Sequence, residues 1–248
     1  MRITVRGYAP LVLPPSPAPE AGRFNEHTSD VSRLLGELRK PKYVGFRLPC
    51  KILSLEFLKH SITPSVYYSE PLAGVGLTAR VMGAGFEKLY LNDNSLDCLE
   101  SLHLNFSTAE VTGADLRSLD FECGDLTFLD FNNFTFRRRN NFEEVLRYTF
   151  KYSSTYVILN DCTPFYFRYG PSSFEVYSKM LGLPIDTVED YFAAIAPAWT
   201  VRYPGWYLVA VGWFRDTSFQ LFSRMPQSLT IRKFTIEDVP LEMIRIGE

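Results

Sequence analysis

Glu70-Pro71-Leu72-Ala73-Gly74-Val75-Gly76-Leu77-Thr78-Ala79 is the stretch that decides how this chain folds. An apolar, β-prone run from Pro64 to Tyr68 leads into the acid, a tight glycine turn follows, and then a segment with helical spacing. A second strand, Lys88-Leu89-Tyr90-Leu91, ends at Asn92-Asp93. Strand, glycine loop, helix, strand and terminal acid, in that order, are the layout of a nucleotide-binding βαβ half. Gly74 and Gly76 carry no side chain. The loop is therefore expected to turn sharply and to let a ligand lie against its backbone N–H groups, in space that a Cβ would fill. Asp93 follows Gly74 by 19 positions, the right distance for a carboxylate on the second strand to reach a ribose hydroxyl.

Gly74-x-Gly76-x-x-Ala79 formally satisfies the dinucleotide fingerprint too. Two details argue against a dinucleotide. Glu70 stands just ahead of the loop, where a carboxylate repels a pyrophosphate but suits an ammonium group, and no second glycine-rich half follows Asp93. Glu70 to Gly76 together with Leu91-Asn92-Asp93-Asn94 resembles motifs I and II of the class I S-adenosylmethionine-dependent methyltransferases, and in particular the tRNA guanine methyltransferase branch. The resemblance is carried by residues 65–105, thins over 106–225 and is absent before about residue 60.

That resemblance implies S-adenosyl-L-methionine as cofactor. Glu70 would serve its methionine ammonium group, Asp93 its ribose hydroxyls, and Asp115 the adenine amino group, with Leu116 flanking the ring. Asp120 and Asp125 are rivals of Asp115. Leu72, Gly74, Gly76 and Asn94 complete the implied cofactor set. At the end of a fourth strand, Asp130-Phe131-Asn132-Asn133-Phe134 occupies the edge where open α/β sheets bind ligands. Amino-methylating members of the superfamily carry an acid or Asn, two prolines and an aromatic there. This chain keeps Asp130 as the acid and Phe134 as a stacking face, with Asn132 and Asn133 as amides, but lacks both prolines. Arg137-Arg138-Arg139 just beyond, and Arg39-Lys40-Pro41-Lys42 earlier, are local basic runs suited to clamping an RNA or DNA backbone.

The remaining pattern predicts an α/β, Rossmann-like doubly wound sheet, mainly parallel with a C-terminal antiparallel hairpin, plus an N-terminal extension. The division expected is an arm and small extension over 1–60 and a methyltransferase-like domain over 61–248. Residues 2–8 alternate as a strand, and the proline-rich Leu13 to Pro19 reads as an extended arm able to reach a protein partner. Val31 to Arg39 reads as a helix and Tyr43 to Ser54 as a strand or hairpin. Core strands follow near 65–69, 88–92, 109–112, 126–129 and 156–159. Asn94-Ser95 caps a helix expected to bury Leu96, Leu99 and Leu102, and another begins at Asn141. Ser172-x-x-Glu175 and Asp186-x-x-Glu189 mark two further helix starts. Trp206 to Phe214 and Phe219 to Met225 form the late hairpin, and Ser228 to Ile236 is a strand without an evident partner.

With 46% hydrophobic and 15% aromatic residues in 248, the chain can build a large core and carries either thick aromatic packing or an aromatic contact surface. A net charge of −2 gives no global attraction to nucleic acid, so a polyanion would need a local patch. The four cysteines show no C-x-x-C spacing and the three histidines are scattered, which points to free thiols in a reducing compartment and to no metal site. No apolar run reaches the ~18 residues of a membrane span, so a soluble cytoplasmic protein is expected. Two functions fit this sequence. One is an S-adenosylmethionine-dependent methyltransferase acting on nucleic acid. The other is a methyltransferase-fold structural or assembly subunit without catalysis, favoured by the altered segment after Asp130 and the proline-rich arm.

Overall fold

The computed structural model describes residues 1–14, 30–63, 65–130, 143–161, 171–215 and 217–247, with backbone alone at 30–33 and 171–173. The main sheet has eight strands: β3 (Tyr67–Glu70), β4 (Lys88–Asn92), β5 (Glu110–Thr112), β6 (Leu126–Leu129), β7 (Tyr156–Asp161), β8 (Tyr207–Phe214), β9 (Thr217–Ser223) and β10 (Thr230–Lys233). Their spatial order is β10-β8-β9-β7-β6-β3-β4-β5. Strands β5, β4, β3, β6 and β7 run parallel, and β9 is antiparallel to both β7 and β8. Parallel βα units closed by one antiparallel hairpin is the arrangement that the resemblance implies. The chain runs outward from β3 to β5 on one side and then returns to β6 on the other, so the topological switch point lies between β3 and β6.

Helices cover both faces, which is why β6 and β7 are buried along their whole length and read as continuous apolar runs. On one face lie α1 (Asp30–Leu38), α2 (Leu48–Lys59), α3 (Leu77–Met82) and α4 (Leu96–Asn105), around Ile52, Leu55, Leu58, Val81 and Leu102. On the other lie α5 (Glu143–Tyr152), α6 (Pro171–Leu181) and α7 (Val188–Arg202), around Leu146, Phe150, Tyr191, Phe192 and Trp199. Aromatic residues pack in both layers, and all three tryptophans lie in the second. Phe150 stacks on Tyr203 at 4.2 Å and meets Trp199, Trp206 and Phe222 within 6.2 Å.

Several local readings need correction. Tyr43 to Ser54 is neither strand nor hairpin: a π-helical turn over Tyr43–Arg47 leads straight into α2. Pro49 is compatible with that helix because it sits in the first turn, where its missing N–H is not needed. The helix packs on β8, and Gly212 lets it come close, since a Cβ there would lie 3.1 Å from Ser54. Leu102 is buried as expected, but Leu96 is 81% exposed and Leu99 only half-buried, with Cys98 and Ser101 inside in their place. The cap of α7 is Thr187 with Asp190, one residue later than Asp186 with Glu189. The strand after Ser228 finds a partner as β10, parallel to β8 at the sheet edge.

A second, three-stranded sheet joins the chain ends. Strand β1 (Arg2–Val5) pairs antiparallel with β2 (Leu11–Val12) and with the C-terminal β11 (Ile244–Gly247). The amide of Asn105 fixes this sheet to α4 by bonding both the N–H and the carbonyl of Val12 at 2.7 Å.

Candidate functional site

The loop from Pro71 to Gly76 is shaped by the two ends it joins. The Gly76 N–H closes a turn onto the Ala73 carbonyl, and the Ala73 N–H donates to the Asn92 carbonyl, both at 2.9 Å. Gly74 (φ 53°) donates its N–H to Asp93 Oδ2 at 3.0 Å, while the Ser95 N–H reaches Asp93 Oδ1 at 2.9 Å. The carboxylate at the end of β4 is thus locked under the glycine loop at the end of β3. Asn92 knits the neighbouring strand ends together. Its Nδ2 donates to the Pro71 and Ala114 carbonyls at 3.0 Å, and its Oδ1 accepts from the Ala114 N–H and the Thr112 hydroxyl at 2.8 Å. Sequence reasoning gave Asn92 no role; its place beside the terminal acid was the available signal.

The two glycines are required for different reasons, and not the expected one at Gly76. A Cβ on Gly76 (φ 87°) would come within 2.4 Å of the Phe106 ring and 3.0 Å of Leu102, so this glycine lets α3 and α4 close on each other. A Cβ on Gly74 would meet no protein atom within 4 Å, and there the left-handed backbone is the constraint.

Two hollows open at this edge. The larger, of about 560 Å³, has Ala73, Gly74 and Asp93 on one side and Tyr43, Arg47 and Lys51 on the other, with Asp130 between. The smaller, of about 290 Å³, is lined by Leu72, Asn92, Asn94, Asp115 and Leu116, and Leu72 borders both. Leu72, Gly74, Asp93, Asn94, Asp115 and Leu116 are therefore brought together, whereas Glu70 and Gly76 line neither hollow. Asp115 caps a short 3₁₀ turn, and its hydrogen bonds from Arg117 hold its carboxyl down to about 2. Of its rivals, Asp125 accepts from Ser65, Val66, Tyr67 and Ser154 at the opposite end of the strands, and Asp120 borders neither hollow.

Beneath the larger hollow lies a chain of charge. Glu70 is buried, and the Tyr68 hydroxyl donates to its Oε2 at 2.7 Å. Burial, with Asp130 and Asp93 nearby, pushes the Glu70 carboxyl well above the ordinary range against the opposing pull of Tyr68 and Lys51. Lys51 reaches Asp130 Oδ2 at 3.0 Å, and Asn160 donates its amide to Asp130 Oδ1. Burial pulls the Lys51 ammonium down, but Asp130, Tyr43 and Glu70 together hold it above the usual lysine value. The Lys51 ammonium, bonded to Asp130, is thus a positive charge of the protein's own that Glu70 also feels. Lys51 was visible in the sequence only as a basic residue among apolar ones. Its partner Asp130 lies 79 positions away, so no local pattern marked it.

Asn132, Asn133, Phe134 and Arg137 to Arg139 lie outside the described residues, as do the arm from Pro15 to Pro19 and Cys162. Arg39, Lys40 and Lys42 are exposed but do not line the larger hollow, and Lys40 pairs with Glu37, which does. Among the described residues, no group of three or more His, Cys, Asp or Glu is placed to hold a metal ion, and no helix is long and apolar enough to cross a membrane.

No protein-family profile matches this chain, and no curated protein sequence does. Solved structures do. N-methyltransferase NodS from Bradyrhizobium japonicum WM9, in complex with S-adenosyl-L-homocysteine, is 12% identical with a TM-score of 0.48, over 79% of this chain and 98% of that one. Magnesium protoporphyrin IX methyltransferase (ChlM) from Synechocystis PCC 6803, with the same ligand bound, is 14% identical at 0.45, over 83% and 90%. An rRNA methylase from Streptococcus thermophilus is 10% identical at 0.40, over 70% and 95%. TM-scores below 0.5 carry no argument. The strand order β10-β8-β9-β7-β6-β3-β4-β5 is the α/β arrangement, mainly parallel with an antiparallel hairpin, that the sequence resemblance implies.

Proposed function

We propose that this chain binds S-adenosyl-L-methionine over the carboxyl ends of β3 and β4 and is a methyltransferase acting on nucleic acid. The observation that carries the reading is the Gly74–Asp93 hydrogen bond, which holds a carboxylate on the floor of a cavity of about 560 Å³. A carboxylate oxygen accepts more than one hydrogen bond, so Asp93 can take ribose hydroxyls while it keeps the loop in place. Leu72 and Leu116 offer apolar surface to the adenine, with Asp115 beside them. When bound, the cofactor supplies an electrophilic methyl group.

The protein's part is then to position an acceptor and take its proton. Asp130 ends β6 beside the cavity, with its carboxylate oriented from two sides by Lys51 and Asn160. Asn132, Asn133 and Phe134 follow it in the sequence as amide acceptors and stacking ring. The exposed Arg39, Lys40 and Lys42, and Arg137 to Arg139 in the sequence, would supply the positive charge that a phosphate backbone needs. Calorimetric titration with S-adenosyl-L-methionine tests the reading: micromolar binding supports it, and no binding at millimolar cofactor overturns it.

One observation favours a second reading, a methyltransferase-fold assembly subunit without catalysis. Both oxygens of Asp130 are already engaged within the protein, and the sequence after it lacks the two prolines of amino-methylating enzymes. The same titration separates the two readings.

A further inference from the structure

Away from the cleft, an open, shallow hollow of about 640 Å³ is lined by Arg147, Lys151, Arg202 and Arg224 against a single acid, Glu143. Four cations round one hollow stand out in a chain of net charge −2. Two of them are seated on rings from below. The Arg224 guanidinium lies 4.2 Å from the Trp206 ring and donates to the Phe150 carbonyl at 3.2 Å; Arg202 lies over Trp199 and Tyr203 at 5.5 and 5.6 Å and pairs with Glu143. Arg147, which pairs with Glu143 at 3.3 Å and has 72% of its side chain exposed, and the exposed Lys151 also line it. Next to them Tyr152 is 53% exposed, with Lys151 over its ring at 4.8 Å and Tyr148 packed on it at 4.6 Å.

We infer that this hollow is a second nucleic-acid site, binding the phosphodiester backbone of a single strand, with Tyr152 as a stacking surface for a base. A guanidinium held by an aromatic face is already oriented, and its planar fork matches phosphate oxygens. Cations beside an exposed ring are what sequence-tolerant single-strand binding uses. The site is separate from the cleft because β7 lies between them. Its first residue, Tyr156, is level with Ser223 next to Arg224, while Asn160, near its far end, bonds Asp130. An anionic membrane is the competing partner, since Val201 and Met225 are exposed beside Arg202 and Arg224. Guanidinium groups oriented by rings, beside an exposed tyrosine, favour a strand, whose phosphates and bases use both features where a bilayer surface uses the charge alone.

The inference does not rest on methyl transfer. The test is binding of a short fluorescent single-stranded RNA of mixed sequence to the full chain, across a salt series and without cofactor. The double variant Arg147→Ala/Lys151→Ala changes two exposed side chains and is expected to bind at least tenfold more weakly. Its log–log salt slope should be shallower by about 1.4, or about 0.7 per lost phosphate contact. Tyr152→Ala should weaken binding about tenfold with the salt slope unchanged. Equal affinity of parent and double variant would overturn the site, as would displacement of the RNA by an equimolar mononucleotide. Loss of phosphatidylserine-vesicle binding in the variant, with RNA binding intact, would overturn it in favour of a membrane. RNA binding through this hollow without any cofactor binding would keep the site and reject the methyltransferase reading, so the two fail separately.

Discussion

The Gly74 N–H donates to Asp93 Oδ2 with the nitrogen 3.0 Å away, tying the turn after β3 to the residue that follows β4. One carboxylate thus shapes the loop and faces the cavity. Asp93→Ala should weaken S-adenosyl-L-methionine binding by roughly 1.5–3 kcal/mol, the scale of a hydrogen bond to a charged group. Asp93→Asn should lose less, because its amide oxygen still accepts one bond. Calorimetric titration gives both values, and cofactor affinity unchanged in Asp93→Ala would reject the ribose assignment.

Gly76 and Gly74 should separate in stability measurements. Gly76→Ala puts a Cβ into the Phe106 ring at a left-handed backbone position, and should cost about 2–4 kcal/mol in denaturant unfolding. Gly74→Ala meets no protein atom and should cost about 1–2 kcal/mol, the penalty of the left-handed backbone alone. Equal losses would mean that α3 and α4 do not pack as described.

The contrast between these glycines shows what was legible in the sequence. The loop from Glu70 to Ala79 and the strand ending at Asp93 were readable because their signals are local: an apolar run, a turn residue, an acid at fixed spacing. The reason for Gly76 was not, because Phe106 approaches from 30 positions away. Helix α2 was hidden by its own burial. Leu48, Cys50, Ile52, Ser54, Leu55 and Leu58 are all inside, so no polar face breaks the run into a helical period, and Pro49 reads as a helix breaker. The pairing of β1 with β11 links the two ends of the chain, which no local window spans. At the site, Asp93 was legible from its distance to the loop, whereas Lys51 acquires its role only from Asp130, 79 positions away.

Glu70 should make stability depend on pH in the sense opposite to an ion-paired acid. Its folded pKa is raised, so its native state holds the proton more tightly than the unfolded chain, whose value is about 4.3. Its stabilising contribution is fully present below that value and is lost as pH rises toward the folded pKa. Asp93, Asp130, Lys51 and Tyr68 are the groups that face it from the neighbouring elements. Glu70→Gln keeps an acceptor for the Tyr68 hydroxyl and removes the titration. Thermal melts from acid to alkaline pH should therefore show a smaller fall in Tm for the variant than for the parent. Parallel curves would mean that Glu70 titrates as an ordinary surface acid.

Lys51 and Asp130 should prove to be coupled, and the coupling should separate stability from catalysis. Their side chains are 22% and 15% exposed, so the pair is only partly screened by water. Lys51→Met keeps most of the aliphatic stem but leaves Asp130 facing Glu70 without its ammonium partner, and should cost about 1–3 kcal/mol. Asp130→Asn removes the carboxylate that Lys51 neutralises and should cost a similar amount. The double variant should cost less than the two singles added together, because neither charge is then left alone, and a double-mutant cycle in denaturant reads that difference. Strict additivity would show that the ion pair does not orient Asp130. Asp130→Asn should in addition leave S-adenosyl-L-methionine affinity near that of the parent and lower turnover, because the carboxylate acts on the acceptor's proton while Asp93 and the Gly74 loop hold the cofactor. Turnover unaffected by that change would remove Asp130 from the proposed chemistry and leave Asn132 or Asn133 to orient the acceptor by hydrogen bonds, with solvent taking the proton.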